Sequence, residues 1–594
     1  MSNSDAILSE QTRADHLAAM AATDPHQGDT GPLDVLVIGG GVTGAGIALD
    51  AATRGLSVGI VEAQDWASGT SSRSSKLVHG GLRYLYQLDF PLVAESLRER
   101  GLLLTTTAPH LVKAQPFLWP LKTPVIERAY SAVGVGMYDA MAQWAHRGSV
   151  PIQRHHTRRG SLKLAPALRR DALTGSIVYY DARVDDARLV VDLVRTAVRY
   201  GALAASRSQL VGLSKDPTGR VDGADLRDLE SGQQLHVAAR TVINATGVWT
   251  EKSQSLSGGS GGLKVLASKG IHIVVPKDRI RSEVGIFLRT EKSVLFIIPW
   301  KRYWVIGTTD TAYHLDRREP VADRSDIQYI LDHANAVLAD PLTVDDVIGS
   351  YAGLRPLLQP GTLDGDESTS TKVSREHTVT EAAPGLVVIA GGKLTSYRKM
   401  AEDAVDFALE KLGQDVAAHP SVTAETPLQG ADGYHALWSR REAIAEHSGL
   451  SVDHVEDLLD RYGCDISEIL RAIGERPDLA GELTGAPEYL RAEIAFGISH
   501  EGALHLEDLL ARRTRMHYEH RDRGQGAAEE VAELAGEMLG WDDQQRAAEI
   551  AAWRERCAAE EKAAGITDEV EAQQVRSEVG EATPFIDVAP EVQG

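Results

Sequence analysis

The sequence predicts an α/β protein with a parallel-sheet domain at its front, an antiparallel-sheet domain beside it and a helical domain at its C-terminal end. Three observations predict this. From Leu33, the runs "DVLVIG", "VTGAGIALDAATRG" and "SVGIVE" alternate strand and helix patterns, as a βαβ unit of a parallel sheet requires. Farther along, "VLFIIPW" (294–300) and "YWVIGTTD" (303–310) are separated only by Lys301 and Arg302, the spacing of an antiparallel hairpin. After about residue 410 the strand patterns largely give way to helical spacing, with Ser451 placed to cap one helix and Pro487 near the start of another.

The individual elements follow in order. Residues 1–32 are polar and alanine-rich without strand pattern, and are expected to be a poorly ordered leader. "HIVVP" (272–276) reads as a further strand of the antiparallel sheet, and "GLVVIAGG" (385–392) returns to the buried-strand pattern. The helical domain is expected over 411–555, followed by an acidic tail over 556–594.

At 594 residues, the chain is long enough for two or three domains. Its 62 basic and 84 acidic residues give a formal charge of −22, which argues against broad nucleic-acid binding. A local cluster of arginines can still hold an anionic ligand. Cys464 and Cys557 are the only cysteines, too few for a disulfide framework, and they fit a reducing cytoplasm. The start lacks a basic region followed by an apolar one, so no secretory signal is read there. No run reaches the ~18 apolar residues of a membrane-spanning helix.

"VLVIGGGVTGAG" contains Gly39-x-Gly41-x-x-Gly44 between a buried strand and a helix. Such glycines permit the tight turn and the close approach of backbone to a pyrophosphate, whose charge the helix N-terminus favours. Glu62 ends the next strand, where an acid accepts from ribose hydroxyls and repels a 2′-phosphate. The combination predicts a dinucleotide site of Rossmann type and leaves FAD and NAD open. "TVINATG" (241–247), closed by Gly247, is a second strand end of the kind that approaches the cofactor in two-sheet flavoproteins.

The long stretch "IGGGVTGAGIALDAATRGLSVGIVEAQDWASGTSSRSSKLVHGGLRYL" resembles the N-terminal signature of the FAD-dependent glycerol-3-phosphate dehydrogenases. "VDDARLV", "INATGVW", "KGIHIVVP", "IPW…IGTTD", "GLRPL", "SREH" and "GGKLTSYRKMAED" follow in the family's order, and "LEDLLARRTR" resembles its C-terminal domain. The resemblance spans roughly residues 33–540.

That resemblance implies an FAD-binding Rossmann-like fold of the glutathione-reductase and D-amino-acid-oxidase type over 33–410, with cofactor-binding parts near 33–110, 175–265 and 345–410 and substrate-binding parts near 111–174 and 266–344. It places Thr70, Ser71 and Ser72 along the pyrophosphate and ribityl chain, and Ser75, Lys76, His79 and Gly80 nearer the flavin ring. Gly353, Gly392, Lys393 and Leu394 join the cofactor set. Arg83, Tyr84, Arg375, Lys393 and Thr395 are expected at the phosphate of the substrate, where arginine gives bidentate contacts and lysine a point charge. His272 and Arg355 are expected at the reacting hydroxyl, as base and as electrostatic stabiliser.

The implied reaction is oxidation of sn-glycerol 3-phosphate to dihydroxyacetone phosphate with FAD as hydride acceptor, electrons passing on to a membrane quinone. It implies a cytoplasmic protein peripherally associated with the inner face of the cell membrane, and a homodimer is expected. The segment "IERAYSAVGVGMYDAMAQWAHRG" is the most apolar candidate for membrane contact, but buried packing is the reading favoured for it. The nearest rival is a glycerol-3-phosphate oxidase that passes electrons to oxygen and makes hydrogen peroxide. A flavin amine oxidase on the same fold should need fewer phosphate-binding cations, and a non-catalytic flavoprotein would not need the polar substrate motifs.

Overall fold

The computed structural model describes residues 6–24, 31–82, 89–123, 126–145, 148–258, 262–290, 294–359, 377–580 and 583–586. The strand Leu33–Ile38 lies at the centre of a parallel sheet, between Val58–Val61 and Gln234–Asn244. Leu203–Ala205 extends the sheet on one side and Leu386–Gly391 on the other, with His377–Ala383 closing that edge antiparallel. Val35, Leu36 and Val37 are completely buried, because helices cover one face of this sheet and other apolar elements cover the other. That is why the strand reads as an unbroken apolar run.

The helix Val42–Thr53 packs against Asp186–Arg199 and Tyr397–Lys411. Its small residues make this possible: a Cβ on Gly46 would lie 3.0 Å from the Tyr397 ring.

The second sheet is built around Val265–Pro276, which pairs antiparallel with both Gly349–Leu358 and Tyr303–Gly307. Tyr303–Gly307 pairs in turn with Val294–Pro299, the expected hairpin, and Trp300 N–H closes it on Tyr303 O at 2.9 Å. Gly285–Arg289 then joins Val112–Leu121 in parallel, and Gly175–Val184 follows. Gly175–Val184 and Gly349–Leu358 therefore belong to the second sheet, although they fall within stretches assigned from sequence to the cofactor domain.

The segment read as a poorly ordered leader contains a helix, Glu10–Ala21. Ser9 and Thr12 cap it reciprocally, Thr12 N–H donating to Ser9 Oγ at 3.1 Å and Ser9 N–H to Thr12 Oγ1 at 2.6 Å. Leu17 and Met20 bury against Leu33, Leu36 and Ile38, so this helix covers part of the parallel sheet. Met20 and Leu17 are spaced as one helical face, a signal too short to outweigh the surrounding polar residues.

The C-terminal region is helical as expected, and Ser451 Oγ accepts from His454 N–H at 3.1 Å to begin Val452–Tyr462. Pro487 does not start a helix. Ala486–Leu490 is a short strand, and the helix begins at Arg491, where the Glu493 carboxylate accepts from Leu490 N–H at 3.0 Å. The stretch read as an acidic tail beyond residue 555 contains helix: Asp543–Gly565 crosses that boundary and Glu569–Ser577 follows it. Arg556, Gln573 and Arg576 are buried there, with Arg556 paired to Glu560 of the same helix at 3.1 Å and Arg576 to Glu319 at 3.7 Å.

Buried ion pairs join the helical domain to the parallel sheet. Asp65, one turn beyond the second strand, accepts from Arg513 Nη1 at 2.7 Å and Nη2 at 2.8 Å, and from Arg512 Nε at 2.5 Å. Arg207 donates to Asp508 at 2.6 Å, and Arg195 to Asp465 at 2.6 Å. The arginines of "LEDLLARRTR" are thus anchors between domains.

Candidate active site and cofactor cavity

A cavity of about 760 Å³ runs from the glycine turn of the parallel sheet to the Val265–Pro276 strand. Its first wall is the turn itself. Gly39 has φ +114°, and a Cβ there would meet Ala245 O at 2.7 Å. Gly44 serves packing only, since its Cβ would lie 1.9 Å from Gly39 O, and it is not among the residues that line the cavity. Gly39, Gly41 and Gly247 do line it.

Glu62 lines the same end and is fixed by backbone: Oε2 accepts from Gly40 N–H at 2.6 Å and Oε1 from Gln64 N–H at 2.8 Å. Burial pushes its carboxyl above the ordinary value, and those N–H groups oppose the rise. An acceptor held in this way beside a helix N-terminus suits the ribose of a dinucleotide.

The hydroxyl-rich loop forms a ridge between the two sheets. Ser71 Oγ accepts from Val42 N–H at 3.0 Å, Thr70 Oγ1 donates to Leu354 O at 2.6 Å, and both residues line the cavity. Ser72 faces a separate small pocket. Lys76 does not reach the cavity either: it is buried, donates to Asp186 at 2.6 Å and lies over the Tyr351 and Tyr518 rings. Asp186 also accepts from Ser74 N–H and Oγ, which explains a lysine within this loop as an internal counter-charge. Gly80 is a packing glycine, its N–H donated to Tyr138 Oη at 2.8 Å and its Cβ position 2.5 Å from Leu97.

At the far end, His272 and Arg355 line the cavity with Ser75, His79, Gly353, Gly392, Lys393, Leu394 and Thr395. The register places them: Gly270 opposes Gly353, Ser268 opposes Arg355 and His272 opposes Tyr351. Gly270 leaves room for the guanidinium, since a Cβ there would lie 2.3 Å from Arg355 Nη2. That guanidinium donates to Thr308 Oγ1 at 3.0 Å and Thr309 O at 3.1 Å. His272 Nε2 shares a 2.9 Å hydrogen bond with Ser75 Oγ. Burial, with the charges of Arg355 and Lys76, holds this imidazole well below its ordinary pKa and therefore neutral.

Thr395 acts on His79: Oγ1 accepts from His79 N–H at 3.1 Å and donates to His79 O at 3.2 Å. Arg83, Tyr84 and Arg375 lie outside the described residues. The cavity has further charged walls that motif reading missed, notably Arg73, Arg317, Arg318 and Lys252. Arg317 donates to Val248 O, Arg73 pairs with Glu319 at 2.8 Å and Arg318 with Asp316 at 2.7 Å. Cations outnumber acids around this cavity even though the chain as a whole is strongly acidic, which suits an anionic occupant. The glycine turn, the fixed Glu62 acceptor and the cavity's length fit FAD.

Residues 34–398 match the family model described as FAD dependent oxidoreductase, and 421–546 match that of the C-terminal domain of alpha-glycerophosphate oxidase. Over 553 residues the chain is 51% identical to glycerol-3-phosphate dehydrogenase 2 of Mycobacterium tuberculosis, covering 93% of each chain. It is 36% identical over 538 residues to the human mitochondrial glycerol-3-phosphate dehydrogenase, covering 87% of this chain and 72% of that one. The solved structure of the glycerol-3-phosphate dehydrogenase from Bacillus halodurans complexed with FAD superposes with a TM-score of 0.73 at 29% identity, covering 92% of this chain and 97% of that one. The chain belongs to the family of FAD-dependent glycerol-3-phosphate dehydrogenases.

Proposed function

We propose that the protein oxidises sn-glycerol 3-phosphate to dihydroxyacetone phosphate and passes the electrons to a membrane quinone. The observation that carries the substrate reading is the meeting of His272, Arg355 and Lys393 in one cavity with the dinucleotide turn. Bound FAD supplies the hydride acceptor, which no side chain can provide.

The chain's own residues do the rest. The neutral His272 takes the proton of the C2 hydroxyl, with Ser75 Oγ, 2.9 Å from Nε2, as the relay. Arg355, braced by Thr308 and Thr309, stabilises the alkoxide as it develops. Lys393 attracts the phosphate, together with Arg83, Tyr84 and Arg375 of the matching motifs. Thr395 fixes the His79 backbone through two hydrogen bonds.

The membrane part of the proposal draws on the helix Ile126–Ala145. Val135, Tyr138 and Ala142 are buried as the sequence reading favoured, but Val133 is 64% and Trp144 88% exposed, with Ile152 beyond them at 63%. Exposed Arg154, Arg158, Arg159 and Lys163 follow. An apolar face beside a basic cluster suits the surface of an anionic bilayer. Among the described residues no helix is long and apolar enough to cross a membrane. The same reading includes a homodimer, for which light scattering on the purified protein is the check.

The acceptor decides between this reading and an oxidase. With glycerol 3-phosphate as donor, a quinone analogue should be reduced much faster than oxygen, with little hydrogen peroxide. Peroxide formed in step with substrate consumption at the maximal rate would assign the protein as an oxidase.

A further inference from the structure

The cavity wall beside Glu62 is completed by the far end of the chain. Phe585, from the segment Thr583–Ile586, lines the cavity together with Ser208, Gln209 and Leu210. The segment is tied down on both sides of this ring. On one side, Gln64 Nε2 donates to Thr583 O at 3.0 Å and Arg207 Nη1 to Thr583 Oγ1 at 2.7 Å. On the other, the Gln209 amide pairs with both backbone groups of Ile586, donating to its O at 2.7 Å and accepting from its N–H at 2.8 Å.

The anchors are the same loops that set Glu62. Gln64 N–H donates to the Glu62 carboxylate, and Ser208 N–H donates to Glu62 O at 2.7 Å. Arg207 is also paired with Asp508 of the helical domain at 2.6 Å. An ordinary surface strand would need none of this. Here a side-chain amide takes the place of a neighbouring strand, and the aromatic ring between the anchors enters the cavity wall.

We propose that Thr583–Ile586 is a strap over the adenosine end of the FAD site, with Phe585 packing on the adenine beyond the ribose that Glu62 serves. Phe585 is then a positioning residue, acting on cofactor retention and not on the chemistry. The inference rests on the FAD assignment and is independent of the substrate and the electron acceptor.

The test compares the full chain with Phe585→Ala, Phe585→Trp and a chain ending at Gly580. FAD is removed, then titrated back while flavin fluorescence is followed. Base–aromatic stacking is worth about 1–3 kcal/mol per base, so Phe585→Ala should weaken FAD by about fivefold to a hundredfold. Truncation should do at least as much, and Phe585→Trp should restore most of the affinity. FAD dissociation constants within about twofold of wild type for both Phe585→Ala and the truncated chain would overturn the proposal, that margin being under 0.5 kcal/mol. Should either variant fail to fold, hydrogen exchange on the wild-type chain decides: FAD should protect the amides of Thr583, Phe585 and Ile586, and unchanged exchange on FAD addition would reject the strap. Wild-type FAD binding in the same titration checks the assignment on which the inference rests.

Discussion

His272 and Tyr351 face one another across neighbouring antiparallel strands, their rings stacked at 4.9 Å between centroids and 17° between planes. Tyr351 Oη in turn donates to Ser74 O at 3.0 Å, which links the imidazole to the hydroxyl-rich loop from a second direction. The ring is thus held by Ser75 on its edge and Tyr351 on its face, neutral and oriented before a substrate arrives.

This gives a pH prediction. Burial first, then Arg355 and Lys76, depress the His272 pKa, so the neutral base persists below the ordinary value of 6.5. The acid limb of kcat/KM due to this group should therefore lie well below that value and disappear in His272→Asn. A limb at the ordinary histidine pKa that survives His272→Asn would assign the base elsewhere. In Tyr351→Leu, with the stacked partner gone, kcat should fall while FAD content is retained.

Glu62→Gln keeps the shape of the acceptor and removes its charge. Hydrogen bonds to a charged group contribute about 1.5–3 kcal/mol, so FAD affinity should fall roughly tenfold to a hundredfold. Flavin titration of the apoprotein is the measurement, and an unchanged dissociation constant would remove Glu62 from the ribose site.

How much of this was legible in the sequence depends on the range of the signal. The βαβ unit, the hairpin and the glycine turn are written in residues a few positions apart, and each is where the pattern places it. The loop at 70–80 was harder. Its hydroxyls and lysine all look suited to a ligand, yet Lys76 is spent on Asp186, 110 positions away, and Ser72 faces another pocket. Gly44 and Gly80 are read as glycines that let backbone approach the cofactor, but what lies against them is protein, Gly39 O and the Leu97 side chain. The helix at Glu10–Ala21, whose local signal is only the spacing of Leu17 and Met20, and the strap at Phe585, which has none, depend on distant partners, Leu36 and Gln209 among them.

The contacts between domains predict how stability changes with pH. Burial alone would lower the His505 pKa, but hydrogen bonds to Glu230 at 3.0 Å and Glu549 at 2.7 Å raise it to about 10. A raised folded pKa adds stability that is fully present below the unfolded value of 6.5 and is lost as pH rises through about 10. Urea unfolding should show wild type losing its advantage over His505→Gln across that interval. Asp65→Asn removes the carboxylate that pairs with buried Arg513, while Arg512 keeps Glu507 and Asp508, and should cost about 3–5 kcal/mol. A loss near zero would mean that Arg513 finds another partner.

The measurement that bears most directly on the central claim is anaerobic reduction of the bound flavin, followed as loss of its yellow absorbance. Glycerol 3-phosphate should bleach wild type rapidly, whereas glycerol, which lacks the phosphate, should do so very poorly. Binding energy from that remote group is used to orient C2, so its loss lowers rate as well as affinity. Lys393→Ala should slow bleaching by glycerol 3-phosphate by about tenfold to a hundredfold while leaving other phosphate contacts, each charged contact being worth about 1.5–3 kcal/mol. Similar bleaching rates with glycerol and glycerol 3-phosphate, unchanged in Lys393→Ala, would contradict the phosphate-directed site and with it the proposed substrate.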